Sequence, residues 1–446
     1  MSRRGRRKQL PEPQLVSIDS MSHEGRGIAR VNGKTVFVFG ALAGETVRIQ
    51  VLKSTRKFDQ ATTLEVIDPS DRRITPRCEA FQLCGGCSLQ HLDSEDQVAL
   101  KQQALLDMMA HAEIDIGDLL SPLRATAWGY RKKARLGVKY VEKKGRVLVG
   151  FRERNTPFIA DMHRCEVLLP EIGHKLDLLS ELIGDLDARA QIPQIEIAAD
   201  ADHIQLVFRH LQALSEHDLN RLTDFARSQN FYVQLQPGGP ASVQNLYPEQ
   251  QALYLDPLGD GKIRIAFNAL DFVQVNSEIN RQMVAQALRL LDLQADDGVL
   301  DLFCGLGNFT LPMAARCLQV TGIEVDQAMV GRARESALAN NITNTDYHAA
   351  DLSQPDTDFA WMKRQYDKIL LDPPRSGALE MAQLIGRFNA SRIVYVSCQP
   401  SSLVRDAAII CAQGYRMTHL GIMDMFPQTA HVESMAVFDR KSKESK

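Results

Sequence analysis

The sequence predicts a mostly parallel, doubly wound α/β sheet in its last third, preceded by an all-β barrel and an α+β middle segment. Three observations carry this. From 270 to 446, β-rich apolar runs alternate with stretches of helical spacing, the pattern of a Rossmann-like layered sheet. A glycine-bearing turn, Asp301-Leu-Phe-Cys-Gly-Leu-Gly-Asn308, joins one such run to the next helical stretch. From 12 to 70, short β-rich runs are separated by Gly-containing turns, which fits a compact barrel of the OB type.

In the barrel, strands are expected at 15–18, 35–39, 46–51 and 62–66, with turns at Gly25, Gly27 and Asn32-Gly33. The middle segment, 75–268, reads as a helix at 95–111 with Val98, Leu105, Leu106 and Met109 on one face. A hairpin (134–140 with 147–151), a helix (176–186) and a second hairpin (194–199 with 204–209) follow. A helix at 219–228, a strand at 232–236 and a turn at 256–261 complete it. In the last segment, strands are expected at 299–303, 320–324, 345–349, 368–371, 393–397 and 415–422. Helices are expected at 311–316, 327–341, 380–387 and 402–413. Ligands of such sheets bind beyond the carboxyl ends of the strands, where the motifs below fall.

Hydrophobic residues make up 44% and charged residues 24% of the 446, a balance that suits a soluble chain with two or three cores. No apolar run has the length of a membrane span, and the charged N-terminus is not followed by an apolar stretch, so a cytoplasmic protein without membrane contact is expected. The net charge of −3 hides an asymmetry. Residues 1–11 form a basic tail with Arg3, Arg4, Arg6, Arg7 and Lys8, expected to be disordered, as is 440–446. From Arg124 to Arg154, eleven Lys or Arg stand against Glu142 and Glu153, interleaved with Trp128, Tyr130 and Tyr140. Positive charge mixed with stacking rings points to RNA; the alternative is a solvated charged face.

Eight cysteines in a large cytoplasmic chain do not read as disulfides. Cys78, Cys84 and Cys87 are bunched around Gly85 and Gly86, and Cys165 follows far downstream. Four thiolates bind zinc or an iron–sulfur cluster. One triplet plus a distant cysteine suits a cubane cluster better than the paired knuckles of zinc ribbons, and both remain open. The role expected for such a group is structural or RNA-docking.

The glycine turn lets backbone approach a ligand without a Cβ in the way. Glu324, ending the next strand, can accept hydrogen bonds from ribose hydroxyls, and Asp351 ends the third strand where an adenine edge would lie. The turn lacks the three-glycine fingerprint that seats a pyrophosphate, so S-adenosylmethionine fits better than NAD. Downstream, Val394-Tyr-Val-Ser-Cys-Gln-Pro400 puts Cys398 between a strand and a helix, whose N-terminus is expected to lower its pKa. A thiolate adding to C6 of a uracil makes C5 nucleophilic toward a methyl group, and a base must then remove the C5 proton. Glu433, in Ala430-His-Val-Glu-Ser434, is the candidate base and His431 the runner-up. Taken singly, Cys398 reads equally as a buried core thiol and Glu433 as a turn carboxylate. Leu371-Asp-Pro-Pro-Arg375 alone would suggest methylation of an exocyclic nitrogen, and a non-catalytic RNA-binding cluster protein is a third reading; the ordered set of acids, nucleophile and base favours carbon.

In combination these stretches, with Cys78-Glu-Ala-Phe-Gln-Leu-Cys-Gly-Gly-Cys-Ser-Leu-Gln-His91, Phe272-Val-Gln-Val-Asn276 and Asp424-Met-Phe-Pro-Gln-Thr-Ala-His-Val-Glu-Ser434, resemble the RNA 5-methyluridine methyltransferases, in their bacterial 23S rRNA branch, over nearly the whole chain. The resemblance implies a TRAM domain (12–70), a central RNA-binding domain holding a [4Fe-4S] cluster (75–268) and an S-adenosyl-L-methionine-dependent methyltransferase domain (270–446). It implies that Cys78, Cys84, Cys87 and Cys165 ligate the cluster. Gln274, Phe303, Asn308, Glu324, Asp351 and Asp372 would contact S-adenosyl-L-methionine, Cys398 and Glu433 would be catalytic, and Phe272 would stack near a flipped uracil. Sister enzymes acting on tRNA lack both the TRAM domain and the cluster, and another rRNA sister lacks the TRAM domain. The target implied is therefore 23S rRNA at the 1939-type site, with a monomeric enzyme and no obligate protein partner. Two positions depart from the usual pattern: Gln399 stands where Asn is usual, and Asp351 stands where Asn also occurs.

Overall fold

The computed structural model describes residues 11–250 and 252–441. The five cations of the expected basic tail, and 442–446, lie outside the described residues. The chain opens with β1 (Gln14–Ser17), β2 (Ser20–Met21), β3 (Gly27–Val31), β4 (Lys34–Phe39), β5 (Thr46–Ser54) and β6 (Phe58–Asp68). Their order is β1-β5-β6-β4-β3-β2. Only Ile18 and Asp19 separate β1 from β2, yet these strands lie at opposite edges, so the sheet rolls up around Val16, Ala29, Val38, Val47 and Ile49. Strand β3 was not foreseen. It pairs with β4 across Asn32-Gly33, whose φ values of 50° and 80° suit the tight turn of a two-residue hairpin.

Next come α1 (Ser94–His111) and β7 (Asp118–Leu119). The middle sheet is built from β8 (Lys133–Val141), β9 (Arg146–Gly150), β10 (Gln194–Ala199), β11 (Ile204–Arg209), β12 (Tyr232–Gln236) and β13 (Gln244–Tyr247), with α2 (Pro170–Gly173), α3 (Leu176–Gly184) and α4 (Glu216–Gln229) inserted along the chain. Leu179, Ile183, Leu222 and Phe225 of the two longer helices pack into its core with Leu136, Ile195 and Phe208. A ribbon of β14 (Leu253–Leu255) and β15 (Ile265–Phe267) leads to the last body.

That body holds α5 (Ser277–Leu291), β16 (Gly298–Leu302), α6 (Thr310–Ala314), β17 (Gln319–Glu324), α7 (Gln327–Ala339), β18 (Thr345–Ala349), β19 (Lys368–Leu371), α8 (Leu379–Leu384), β20 (Arg392–Ser397), α9 (Pro400–Ala412), β21 (Tyr415–Met423) and β22 (Glu433–Arg440). The order β18-β17-β16-β19-β20-β22-β21-β7 is parallel from β18 to β20, with β22 antiparallel between β20 and β21. Helix α5 and strand β22 were missed. The spacing Ile279, Met283, Val284, Ala287, Leu288, Leu291 is a helical stripe, and all six are buried. The run 435–438 of β22 is wholly buried too.

Helix α1 turns Val98, Leu105 and Met109 into the core of this last sheet, beside Tyr395 and Leu403, and β7 adds to its edge parallel to β21. Residues 94–119 thus pack on the C-terminal sheet.

Candidate active site

The order reversal lies between β16 and β19, and Asp372 N donates to Leu302 O (3.3 Å) across that gap. The turn beyond β16 is left-handed at Phe303 (φ 67°), Gly305 (55°) and Gly307 (94°). A Cβ on Gly307 would stand 3.1 Å from the Tyr347 hydroxyl, so the glycine keeps the turn tight as well as bare. Glu324 fixes it from the next strand: Oε2 accepts from Gly305 N (3.2 Å), and Oε1 from Val325 N (2.9 Å) and Asp326 N (3.1 Å).

Of the sequence-predicted cofactor residues, Phe303 and Asn308 follow β16, Glu324 ends β17, and Asp351 and Asp372 follow β18 and β19, so these five stand beyond or at the carboxyl ends of parallel strands. Asn308 closes a reciprocal amide pair with buried Asn280 of α5, at 3.0 and 2.9 Å. Asp351 is exposed, and its Oδ1 accepts from Ser353 N and Oγ (2.8 and 2.7 Å), bonds that hold its pKa below the usual range. Gln274 and Phe272 sit on a loop that Lys133 grips through Ala269 O (2.8 Å) and Asp271 O, with Arg332 on Asp271 (2.7 Å). Phe272 is 73% exposed on that anchored loop. Desolvation pushes Asp372 up to about 7. Sequence reading passed over Asp301 as an individual residue. It is fully buried, accepts from Thr310 Oγ1 (2.5 Å) through one oxygen, leaves the other without a partner, and burial raises it to about 7.

Strand register brings the two expected catalytic side chains together. β20 and β22 pair antiparallel up to Ser397 with Ser434, so the next facing positions are Cys398 and Glu433. Glu433 opens β22 and is buried; burial, then the charge of Asp372, pushes it up to about 8. Cys398 does not follow expectation. Burial first, then Glu433 and Asp372, push its thiol up to about 12, against the opposing charge of Arg375. A helix N-terminus carries only about half a charge, which two nearby carboxylates and desolvation outweigh. Gln399, at the N-cap, donates its amide to Ser401 Oγ (3.1 Å). The ring of His431, the runner-up base, packs edge-on to Phe426 at 5.6 Å and lines the cavity described next.

Cys78, Cys84, Cys87 and Cys165 line one cavity of about 240 Å³, which Arg375, Phe426, Thr429 and His431 also line. Burial raises Cys87 to about 12 and Cys165 to about 11. Among the described residues, no three of these sulfurs lie within 4.8 Å of one another. Four thiolates on one zinc, each about 2.3 Å from it, would sit ~3.8 Å apart. Arg154 braces the cysteine loop: its guanidinium donates to the carbonyls of Phe81, Cys84 and Cys87 and lies 3.5 Å over the Phe39 ring of the barrel.

The basic run 124–154 is largely engaged internally. Arg135 pairs with Glu196, Lys144 and Arg146 with Asp161, and Lys132 and Lys133 with backbone carbonyls. Of its aromatic residues, Tyr130 is buried with its hydroxyl on Pro427 O (3.0 Å), while Trp128 and Tyr140 are half-buried against the middle core under Arg77 and Arg189. The most exposed rings are Phe272 and Phe158.

A family profile described as tRNA (Uracil-5-)-methyltransferase matches residues 177–441, and a TRAM domain profile matches 8–64. The chain belongs to the uracil-C5 RNA methyltransferase family. Relatives named 23S rRNA (uracil(1939)-C(5))-methyltransferase RlmD align nearly end to end. The Alcanivorax borkumensis protein is 51% identical, covering 98% of this chain and 99% of its own. The Alkalilimnicola ehrlichii protein is 48% identical with the same coverage. A Pyrococcus abyssi tRNA (uracil-54, C5)-methyltransferase, solved with S-adenosyl-L-homocysteine, shares the fold at a TM-score of 0.74 and 20% identity, over 95% of this chain and 100% of that one. Within the described residues no helix is long and apolar enough to cross a membrane.

Proposed function

We propose that this methyltransferase moves the methyl group of S-adenosyl-L-methionine to C5 of a uridine in 23S rRNA, at the 1939-type site, through a covalent bond between Cys398 and C6. The observation that carries the reading is that β20 and β22 pair up to Ser397 with Ser434, leaving Cys398 and Glu433 as the next residues at the carboxyl edge of the sheet, with the charges of Glu433 and Asp372 acting on the Cys398 thiol. The relatives' names supply the RNA and the nucleotide.

The residues present fit a nucleoside donor. The turn 303–308 offers bare backbone, Glu324 ends β17, Asp351 follows β18, and Phe303, Asn308 and Asp372 follow β16 and β19; Gln274, on the loop before α5, would complete the set. When bound, the donor supplies an electrophilic methyl group on a sulfonium. Phe272 offers an exposed face for the flipped base. Cys398 loses its proton to water, and its sulfur bonds to C6 while the C5=C6 pair moves to C5, which takes the methyl group. Glu433 as carboxylate then removes the C5 proton; the released pair restores C5=C6 and expels the thiolate. A base held near 8 is a stronger proton acceptor than an ordinary carboxylate, which suits removal of a carbon-bound proton.

The four thiols share one cavity, and one triplet plus a distant cysteine suits a [4Fe-4S] cluster better than the paired knuckles of a zinc ribbon. Cys78, Cys84, Cys87 and Cys165 would be its ligands. Purified protein, donor and a 23S rRNA fragment should yield 5-methyluridine by nucleoside mass spectrometry. Methyl on an exocyclic nitrogen, or no methylated nucleoside, would refute the proposal.

A further inference from the structure

We infer that Gln97 and Ser88 are positioning residues for Glu433, fastening the segment that carries the base to the cysteine loop and to α1. The inference rests on the function proposed above and adds two residues to it. The segment 424–430, which leads into Glu433, is gripped at almost every residue. Buried Lys101 of α1 donates to Asp424 Oδ1 (2.6 Å) and Phe426 O (3.0 Å), and Tyr130 donates to Pro427 O (3.0 Å). Gln428 is buried and held at φ 68°, a left-handed conformation that costs a non-glycine residue roughly 1–3 kcal/mol unless its surroundings enforce it.

Its surroundings do enforce it. Gln428 N donates to Gln97 Oε1 (2.9 Å), and Gln97 Nε2 donates to Gln428 Oε1 (3.0 Å). Gln428 O accepts from Ser88 N (2.9 Å) and Leu89 N (3.0 Å), and Ser88 Oγ accepts from Ala430 N (3.0 Å). The same Gln97 amide donates to Leu89 O (3.1 Å) and Leu92 O (2.8 Å). Ser88 follows Cys87 directly. One buried amide and one hydroxyl therefore join the thiol loop to the base segment. Loosening that joint lets Gln428 relax and moves Glu433 relative to C5, while the nucleophile between β20 and α9 and the turn beyond β16 stay where they are.

The test uses full-length holoprotein and an rRNA fragment whose uridine is tritiated at C5. Gln97→Ala and Ser88→Ala should release tritium about tenfold or more slowly, since small misplacements of a reacting group carry such factors. With ordinary RNA both should accumulate a denaturation-resistant protein–RNA band. Calorimetric S-adenosylmethionine binding and the rate of adduct formation with 5-fluorouridine RNA should match the parent protein. Unchanged tritium release, or a fall matched by equal losses in donor binding and fluorouridine adduct rate, overturns the inference. If Gln97→Ala does not fold, Ser88→Ala, which removes a single hydroxyl, decides by the same readouts. A parent protein that makes no 5-methyluridine refutes the function instead.

Discussion

At Glu433 the protein holds a proton far more tightly than an ordinary carboxyl does, because burial and Asp372 both disfavour its charge. The proposed base must be ionised to act. Single-turnover tritium release should therefore rise with pH through about 8 and level off above it. Glu433→Gln should lose roughly 10²–10⁴-fold of that rate and build up the covalent complex. Release that is flat from pH 6 to 9, in steps of about one unit, would remove Glu433 from the role. The same shift has a stability consequence. The folded state binds this proton more tightly than the unfolded chain, so its contribution is full below 4.5 and is lost as pH rises through about 8. Glu433→Gln should accordingly melt above the parent protein at a pH over 8, and thermal denaturation monitored by circular dichroism checks it. The proposed nucleophile and base and the cysteine triplet each stand in a short distinctive string, which is why the sequence singles them out. It does not single out Gln97 or Lys101. They share a face of α1 with Val98 and Leu105, but their partners lie 331 and 323 residues away, and no local pattern reports that. The pKa of Cys398 was misjudged for a related reason: the helix beside it is visible in sequence, the carboxylates facing it are not.

Strand pairing does at the next scale what no single residue can. Inserting β22 antiparallel between β20 and β21 places Ser434 opposite Ser397 at the end of β20, with Glu433 one residue further on, and a shift of one residue would turn Glu433 to the other face. The parallel strands were legible from their apolar runs; β22 was not, because its stretch reads as a continuation of the motif before it. Close packing beneath the turn 303–308 is a second device of this scale. A Cβ on Gly322 of β17 would stand 2.8 Å from Tyr347 Cδ1 and 3.0 Å from Cys304 Sγ. Gly322→Ala should cost about 1–3 kcal/mol by overpacking, read from a urea titration, and weaken donor binding because Cys304 belongs to the turn. Wild-type stability in that variant would mean that the layer under the turn is looser than its contacts indicate.

Over the whole molecule, one cavity is lined both by the thiols and by Phe426, Thr429 and His431 of the segment that leads into Glu433. Arg154 ties the thiol loop to Phe39 of the barrel, and Ser88 ties it to the segment before Glu433. The three bodies therefore meet at the cysteine loop, which makes that loop a structural joint whatever else it does. Stripping the proposed cluster with a chelator should bleach a visible absorption band, lower the melting temperature and slow tritium release, while S-adenosylmethionine still binds. Parent-like tritium release after complete loss of metal would separate the thiol site from the base. The cation-rich run 124–154 shows the limit of composition at this scale: its charge count is right, but folding spends much of it on internal partners.

The most direct measurement concerns the sulfur of Cys398. With a 23S rRNA fragment carrying 5-fluorouridine at the target, the C5 substituent cannot be removed as a proton, so protein, donor and RNA should form a denaturation-stable complex. Mass spectrometry of its peptides should place the nucleotide on Cys398, and Cys398→Ala should give none. A complex that forms equally without that sulfur, or 5-methyluridine made by the Cys398→Ala protein, would contradict the mechanism.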